Sequence, residues 1–267
     1  MSRLAGGRAR EAAFCFWADP TPRPGWYNMA IDAELLARAE RGERWLRLYA
    51  WEPCLSFGRH EPAARRYDAD GIAARGLAVV RRPTGGRAVW HANELTYALA
   101  APADGLGPLR EAYLAIHRVL RDALRSLGAD AELAPDRAAG PLDGGACFAA
   151  AAGGEVLLGG RKVIGSAQLR QGSALLQHGS VLLGDDQRVV AAVSRGTPAA
   201  DHSLPLGRAL GRPISWAEAA EAVRDAAQDR WGLRPPEDGV ASVLRHALAH
   251  ADRFRSKAWT WAGTLAR

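Results

Sequence analysis

Gly159-Gly160-Arg161-Lys162-Val163-Ile164-Gly165-Ser166-Ala167-Gln168 is the stretch whose reading decides the fold. It turns on paired glycines, enters a short apolar strand and carries a lysine in a chain that has almost none. Of 35 basic residues only Lys162 and Lys257 are lysines. Arginine is a planar fork that stays charged, whereas lysine is a compact ammonium whose pKa can fall far enough to give or take a proton. An ammonium kept where nearly every other cation is arginine marks Lys162 as a candidate for chemistry. The other reading is that codon bias left two lysines at random, and Lys257, in Arg253-Phe254-Arg255-Ser256-Lys257, reads as that kind.

Strands flank this segment. Residues 155–158, 162–169 and 174–183 read as three consecutive strands and predict an antiparallel meander. Upstream, Trp45–Trp51 alternates, with Leu46, Leu48 and Ala50 opposed to Arg47 and Tyr49. Residues 55–58, 77–82 and 94–101 read as further strands, residues 70–75 as a helical turn and residues 83–93 as a loop between two strands. Asn28 is placed to cap a helix ending at Arg41, before Gly42. Residues 109–127 form the longest helical pattern, with Tyr113, Ile116, Leu120 and Leu124 at helical spacing and Gly128 beyond the end. Residues 217–231 and 240–255 read as helices packed against each other and the sheet. The expected fold class is α+β, a mixed, largely antiparallel sheet with flanking helices. It forms a single domain over 1–267, with a core at about 17–194, a helical C-terminal part at about 215–257, a flexible leader at 1–13 and a mobile Gly/Ala-rich stretch at 140–154.

Composition narrows the class. A hydrophobic share of 48% with 24% charged residues fits a soluble globular protein. No run of 18 apolar residues occurs and the basic N-terminal stretch lacks a signal-peptide core, so a cytoplasmic protein with no membrane partner is expected. Cys15, Cys54 and Cys147 make an odd number without CxxC spacing, and the seven histidines show no metal-ligand spacing. Neither a disulfide framework nor a metal site is expected. Net charge is +6, but the arginines are spread along the chain and not interleaved with aromatics, so no nucleic-acid partner is expected.

Three segments could hold a substrate. In Arg81-Arg82-Pro83-Thr84-Gly85-Gly86-Arg87-Ala88-Val89-Trp90-His91, paired glycines free backbone N–H groups and three arginines make a cradle for a phosphate, carboxylate or oxyanion. A tight turn needing no ligand is the other reading. Cys147, in Gly144-Gly145-Ala146-Cys147-Phe148, is either an accessible thiol that Lys162 could help ionise or a small space-filling residue. In Leu175-Leu176-Gln177-His178-Gly179-Ser180, one polar pair of a strand could line a pocket that leucines close. A backbone-bonded buried histidine serves equally well there.

Together and in this order, these segments resemble the lipoate–protein ligase and octanoyltransferase family, which shares the catalytic fold of biotin–protein ligases. The resemblance covers about residues 17–194. It rests on Asn28-Met29-Ala30-Ile31-Asp32, Tyr49-Ala50-Trp51-Glu52-Pro53, Leu55-Ser56-Phe57-Gly58, the loop 81–91, Glu94-Leu95-Thr96-Tyr97, the Lys162 strand and Gln177-His178-Gly179. Within the family it is closest to the LipM type, which carries Cys-Phe upstream of the lysine segment, as Cys147-Phe148 stands here. Ala92 stands where the family commonly has Asp, Glu61 where it has Gln, and residues 148–155 lack the usual aromatic before the glutamate.

The resemblance implies transfer of octanoyl from octanoyl-acyl-carrier protein to Cys147 as a thioester, then to a lysine of a lipoyl domain. The acceptor would be a glycine cleavage H protein or a 2-oxoacid dehydrogenase E2. It implies Cys147 and Lys162 as the catalytic pair. Arg81, Arg82, Thr84, Gly85, Gly86, Arg87, His91, Gly165, Ser166, Ala167, Gln168, His178 and Gly179 would bind substrate. No cofactor is required; ATP and Mg enter only in the alternative, an ATP-dependent lipoate–protein ligase. A non-enzymatic alternative is an acyl-binding regulatory protein with the same fold.

Overall fold

The computed structural model describes residues 13–135, 153–184, 187–196, 203–237 and 239–264. Twelve strands are seen among them: β1 (Phe14–Arg23), β2 (Trp45–Trp51), β3 (Cys54–Phe57), β4 (Ala78–Arg81), β5 (Val89–His91), β6 (Glu94–Pro102), β7 (Ala131–Leu133), β8 (Val156–Leu158), β9 (Arg161–Lys162), β10 (Ile164–Gln171), β11 (Ala174–Leu182) and β12 (Leu233–Arg234). The main sheet runs β10-β11-β6-β2-β1-β12, and two small sheets run β4-β3-β5 and β7-β8-β9. Most pairings are antiparallel, but β1 lies parallel to both β2 and β12, and β3 parallel to β4. The α+β class with a mixed, largely antiparallel sheet is the observed one.

Helices cover both faces of the main sheet. Leu46, Leu48, Leu95, Tyr97 and Leu99 point to one face, where they meet Ile116, Leu120 and Leu124 of the Leu109–Ser126 helix and Val223 and Ala227 of the Trp216–Trp231 helix. Trp45, Tyr49, Trp51, Ala98 and Ala100 point to the other, against Met29, Leu35 and Leu36 of the Gly25–Glu40 helix. Val243 of Ala241–Ala247 and Phe254 of Ala251–Arg255 close that face. Burial on both sides explains why β6 reads Glu-Leu-Thr-Tyr-Ala-Leu-Ala-Ala-Pro without clean polar alternation. Truncating Leu120 to alanine in such a core costs about 2–5 kcal/mol.

The structure corrects several expectations. Asn28 is not a helix cap: the helix begins at Gly25 behind Pro24, and the Asn28 amide, inside it, donates to the carbonyls of Arg23 and Ala50. The meander breaks at Val163. Lys162 still pairs with Leu157 in β8, whereas Ile164 pairs with Val181 in the main sheet. Val163 itself donates to Val156 and accepts from Leu182, one contact to each sheet. The loop 83–93 contains β5, which pairs with β3. The two C-terminal helical regions do not pack on each other but lie on opposite faces, and the second is interrupted by a 3-10 turn at Leu248–His250. β1 was not anticipated. The leader 1–13 (apart from Ala13) and the stretch 140–154 (apart from Gly153 and Gly154) lie outside the described residues.

Candidate active site

Strand register sets the site. Ser166 lies opposite Gly179, Ala167 opposite His178 and Gln168 opposite Gln177, so two motifs separated in sequence are cross-strand neighbours. Tyr97 of β6 pairs with Gly179 on its other side. A Cβ at Gly179 would fall 2.5 Å from the Gly165 carbonyl, 2.6 Å from Ser166 Oγ and 2.9 Å from the Tyr97 ring, so only glycine lets the three strands meet here. Above this point opens a narrow cleft, tightly filled with only about 20 Å3 of free space, lined by Tyr49, Trp51, Val89, Arg82, His91 and the strand residues 165–167 and 178–180.

A buried charge ladder supports one side. Arg47, fully buried, donates to Asp19 at 2.7 Å and to Asn28 Oδ1 at 2.7 Å, and lies 3.5 Å from Asp32. Asp32 accepts from Tyr49 Oη at 2.9 Å and from His178 Nδ1 at 2.8 Å. With Nδ1 so held, His178 Nε2 is aimed at Thr84 Oγ1, 2.5 Å away. Asp32 thereby joins the helix, the strand and the Gly-Gly loop.

A second cluster stands beside the first, two residues along the same strands. His91 Nδ1 donates to Glu94 at 2.7 Å, Ser56 Oγ lies 2.5 Å from His91 Nε2, and Trp51 stacks on the imidazole at 3.9 Å between centroids. Burial lowers the His91 pKa, which favours the neutral ring. Ser180 and Thr96 also donate to Glu94 Oε1.

A third network has a fixed direction. Burial pushes His117 down to about 4, so the ring is neutral near pH 7. Its Nδ1 donates to the Gly154 carbonyl at 2.7 Å, leaving Nε2 to accept from Ser166 Oγ at 2.9 Å. Ser166 then accepts from Tyr97 Oη at 2.7 Å, Tyr97 from Gln177 at 2.8 Å, and Gln177 from Gln168 at 2.9 Å. Every donor in this chain points toward Gly154.

Lys162 is buried, and its Nζ donates to Glu155 Oε1 at 2.6 Å. Next to this pair the backbone of Ala134 donates to Glu155 O and accepts from Gly154 N, both at 2.7 Å. The two ends of the segment 136–152 are therefore fastened together beside the Lys162 ammonium. Cys147 belongs to that segment and lies outside the described residues. The other two cysteines are buried. Burial raises the thiol pKa of Cys15, and pushes that of Cys54 up to about 12.

The Gly-Gly loop divides. Arg82 lines the cavity and donates to Ser56 and to the carbonyls of Gly85 and Arg87. Arg81 does not: its guanidinium is buried among the carbonyls of Gly58, Arg59, Glu61, Trp259, Thr260 and Trp261, holding the C-terminal helix Lys257–Ala262 against β4. Reading Arg81 as a ligand cation is therefore corrected to a structural clamp. Thr84 sits behind the cavity, while Gly85 and Gln168 face a neighbouring groove. Gly86 is exposed at φ 90° and Arg87 half-buried, neither lining the cavity.

A family model for the lipoyl protein ligase A/B catalytic domain matches residues 24–228. The chain belongs to this family. It is 41% identical over 223 residues to an octanoyltransferase LipM of Symbiobacterium thermophilum, covering 76% of this chain and 81% of that one. It is 37% identical over 258 residues to an octanoyltransferase LipM of Kyrpidia tusciae, covering 88% and 94%. A lipoate–protein ligase A solved with ATP superposes with a TM-score of 0.79 over 95% of this chain and 100% of that one, at 18% identity. At that identity the likeness is one of fold.

On this lipoyl protein ligase fold, the structure adds His117 and Glu155 to the residues singled out by sequence, and gives a place in the site to Asp32, Glu94, Tyr97 and Gln177, which the sequence offered only within longer motifs. Asp32 and His117 carry a readable signal, since each interrupts the apolar face of its helix. His117 stands four residues after Tyr113 and three before Leu120. Glu155 has no local signal; only the sheet pairing that folds it back beside Lys162 reveals it. Among the described residues no group of three or more His, Cys, Asp or Glu could hold a metal ion. No helix among them is long and apolar enough to cross a membrane.

Proposed function

We propose that this chain is an octanoyltransferase that moves octanoyl from octanoyl-acyl-carrier protein, through Cys147, to a lysine of a lipoyl-domain protein. The observation that carries this reading is the placement of Lys162 and Glu155 at the closed base of the Cys147 segment, with both other cysteines buried and their thiols made harder to ionise. The two LipM relatives support it over most of their length.

Cys147 as thiolate attacks the donor thioester carbonyl. The tetrahedral intermediate collapses to acyl-Cys147 and expels the carrier thiolate, which takes up the proton lost by Cys147. The neutral amine of the acceptor lysine then attacks acyl-Cys147. Its C–N bond forms as the C–S bond breaks, and the departing thiolate recovers a proton from the ammonium so formed. Lys162 stabilises the thiolate and the oxyanion of each intermediate. The narrow cavity behind Ser166 and Gly179 holds the acyl chain between Trp51, Tyr49 and Val89, and Arg82 and His91 stand at its polar wall. Acyl-carrier proteins are acidic, and a chain of net charge +6 suits them electrostatically. No ATP is needed, because the donor thioester is already activated.

Intact-mass measurement after mixing with octanoyl-acyl-carrier protein tests this. Wild type should gain a hydroxylamine-labile octanoyl adduct without ATP, and Cys147→Ser should form no thioester. An adduct that requires ATP and free octanoate, or unchanged transfer by Cys147→Ser, would replace this reading with the ATP-dependent ligase.

A further inference from the structure

Beside the acyl cavity lies a second, larger groove of about 1,110 Å3 of empty space, open to solvent, lined by Arg59, His60, Gly85, Gln168, Arg253 and Trp259 among others. The two sites share strand β10: residues 165–167 line the cavity and Gln168, Leu169 and Gln171 line the groove. They also share the Gly-Gly loop, through Arg82 and Gly85.

The groove is electrically unbalanced. Its lining holds two arginines and no carboxylate. The Arg59 guanidinium lies 4.1 Å and the Arg253 guanidinium 3.9 Å from the centre of the Trp259 indole, so two like charges crowd one ring. Arg59 Nη1 and Arg253 Nε are buried yet have no hydrogen-bond partner. Neither arginine forms an ion pair among the described residues. Burial, and then the Arg59 charge, lower the Arg253 pKa, as expected of a cation held without a counter-ion. A buried unsatisfied donor costs free energy that an incoming acceptor would recover, and a guanidinium fork suits a phosphate.

Gly85 fits the same reading. Its φ is not in the left-handed region and a Cβ there would meet nothing within 4 Å, so the turn itself does not require glycine. A ligand passing from groove to cavity would. Gly86, at φ 90°, is the glycine the turn requires.

The geometry points to a phosphate-ester site on Arg59, Arg253 and Trp259 that receives the phosphodiester of the donor's phosphopantetheine arm, with the arm running past Gly85 to the acyl cavity. The choice of donor rests on the transferase reading; the phosphate chemistry does not. A nucleotide triphosphate is the other source of the same group.

Calorimetric titration of the full-length protein with 4′-phosphopantetheine, pantetheine and ATP separates these outcomes, and needs no turnover. Wild type should bind 4′-phosphopantetheine about 10-fold or more tighter than pantetheine, equivalent to ~1.4 kcal/mol. Arg59→Gln and Arg253→Gln should each erase most of that preference. The arginines lie on separate elements, the turn after β3 and the Ala251–Arg255 helix, so loosened packing in one variant leaves the other informative. Equal binding of the two pantetheines by wild type, or an unchanged preference in a folded Arg59→Gln, overturns the site. ATP binding that depends on both arginines, without a preference for phosphopantetheine, overturns the donor assignment and gives the groove to a nucleotide. If Cys147→Ser still transfers while the phosphate preference holds, the transferase reading falls and the site stands.

Discussion

Lys162 and Glu155 form an ion pair of 2.6 Å with side chains only 4% and 6% exposed, a geometry in which stability and activity can be separated by mutation. Glu155→Gln leaves an ammonium buried beside a neutral amide, and Lys162→Met leaves a carboxylate buried beside a thioether. Removing one partner of a buried pair costs about 3–5 kcal/mol, most of it the desolvation of the survivor. Removing both leaves no stranded charge, so Lys162→Met/Glu155→Gln should recover most of the stability lost by either single change. The coupling term in the cycle should then be about 2 kcal/mol or more. Urea unfolding followed by tryptophan fluorescence measures it. Octanoyl transfer should behave differently: if the Lys162 ammonium stabilises the Cys147 thiolate and oxyanion, the double variant stays as inactive as Lys162→Met. Lys162→Arg, which keeps the charge on a bulkier fork, should also lose most activity. The reasoning is refuted if the double variant regains near wild-type transfer along with its stability, because the pair would then serve only the fold. It is equally refuted if Glu155→Gln costs less than about 1 kcal/mol, the value of a solvated pair.

The protonation state of His117 makes a pH prediction. A folded pKa of about 4 against an unfolded value near 6.5 means the unfolded chain binds more protons between those pH values. Stability from this group is complete above about pH 6.5 and falls as pH drops toward 4, by on the order of 3 kcal/mol. His117→Asn should flatten that part of the stability–pH curve, leaving the slope in the same direction due to His91; a curve of unchanged steepness contradicts the assignment. Arg81→Lys should destabilise by about 3 kcal/mol, since a lysine has three donors for the six carbonyls that the guanidinium serves. Release of the Lys257–Ala262 helix should appear as faster proteolysis near residue 256, and protection equal to wild type would show that the clamp is dispensable.

How much of this fold was legible depended on how locally each element is determined. Trp45–Trp51 and Leu109–Ser126 were readable within a residue because the first alternates and the second repeats at helical spacing. β1 was not. Its sequence, Phe-Cys-Phe-Trp-Ala-Asp-Pro-Thr-Pro-Arg, contains two prolines, and it is a strand because β2 and β12 pair with it from distant parts of the chain. The break at Val163 was equally hidden. A run of strand-forming residues from Lys162 onward says nothing about which sheet each end joins, and the answer comes from Val156 and Leu182 reaching the same residue from opposite sides.

For the site, sequence identified the motifs but not their wiring, and Arg81 and Arg82 show why. The two are adjacent, chemically identical and both buried, so no local pattern separates them. Arg81 ends β4 and Arg82 follows it, its N–H still bonded to Phe57 of β3, and successive residues along such a strand edge point to opposite sides. Arg82 therefore turns to Ser56 and the cavity, while Arg81 turns to the C-terminal helix. On β10 the register does the same work: Ser166, opposite Gly179, gives its hydroxyl to the Tyr97–His117 chain, while Ala167 stands opposite His178. Buried polar groups are costly to leave without partners in a low-dielectric interior. Each partner fixes the rotamer of the next, and Asp32, Tyr97 and His117 follow from that requirement once the strands are in register. A candidate list read from sequence thus names side chains of the right chemistry; the register decides which of them face a substrate and which hold the others in place.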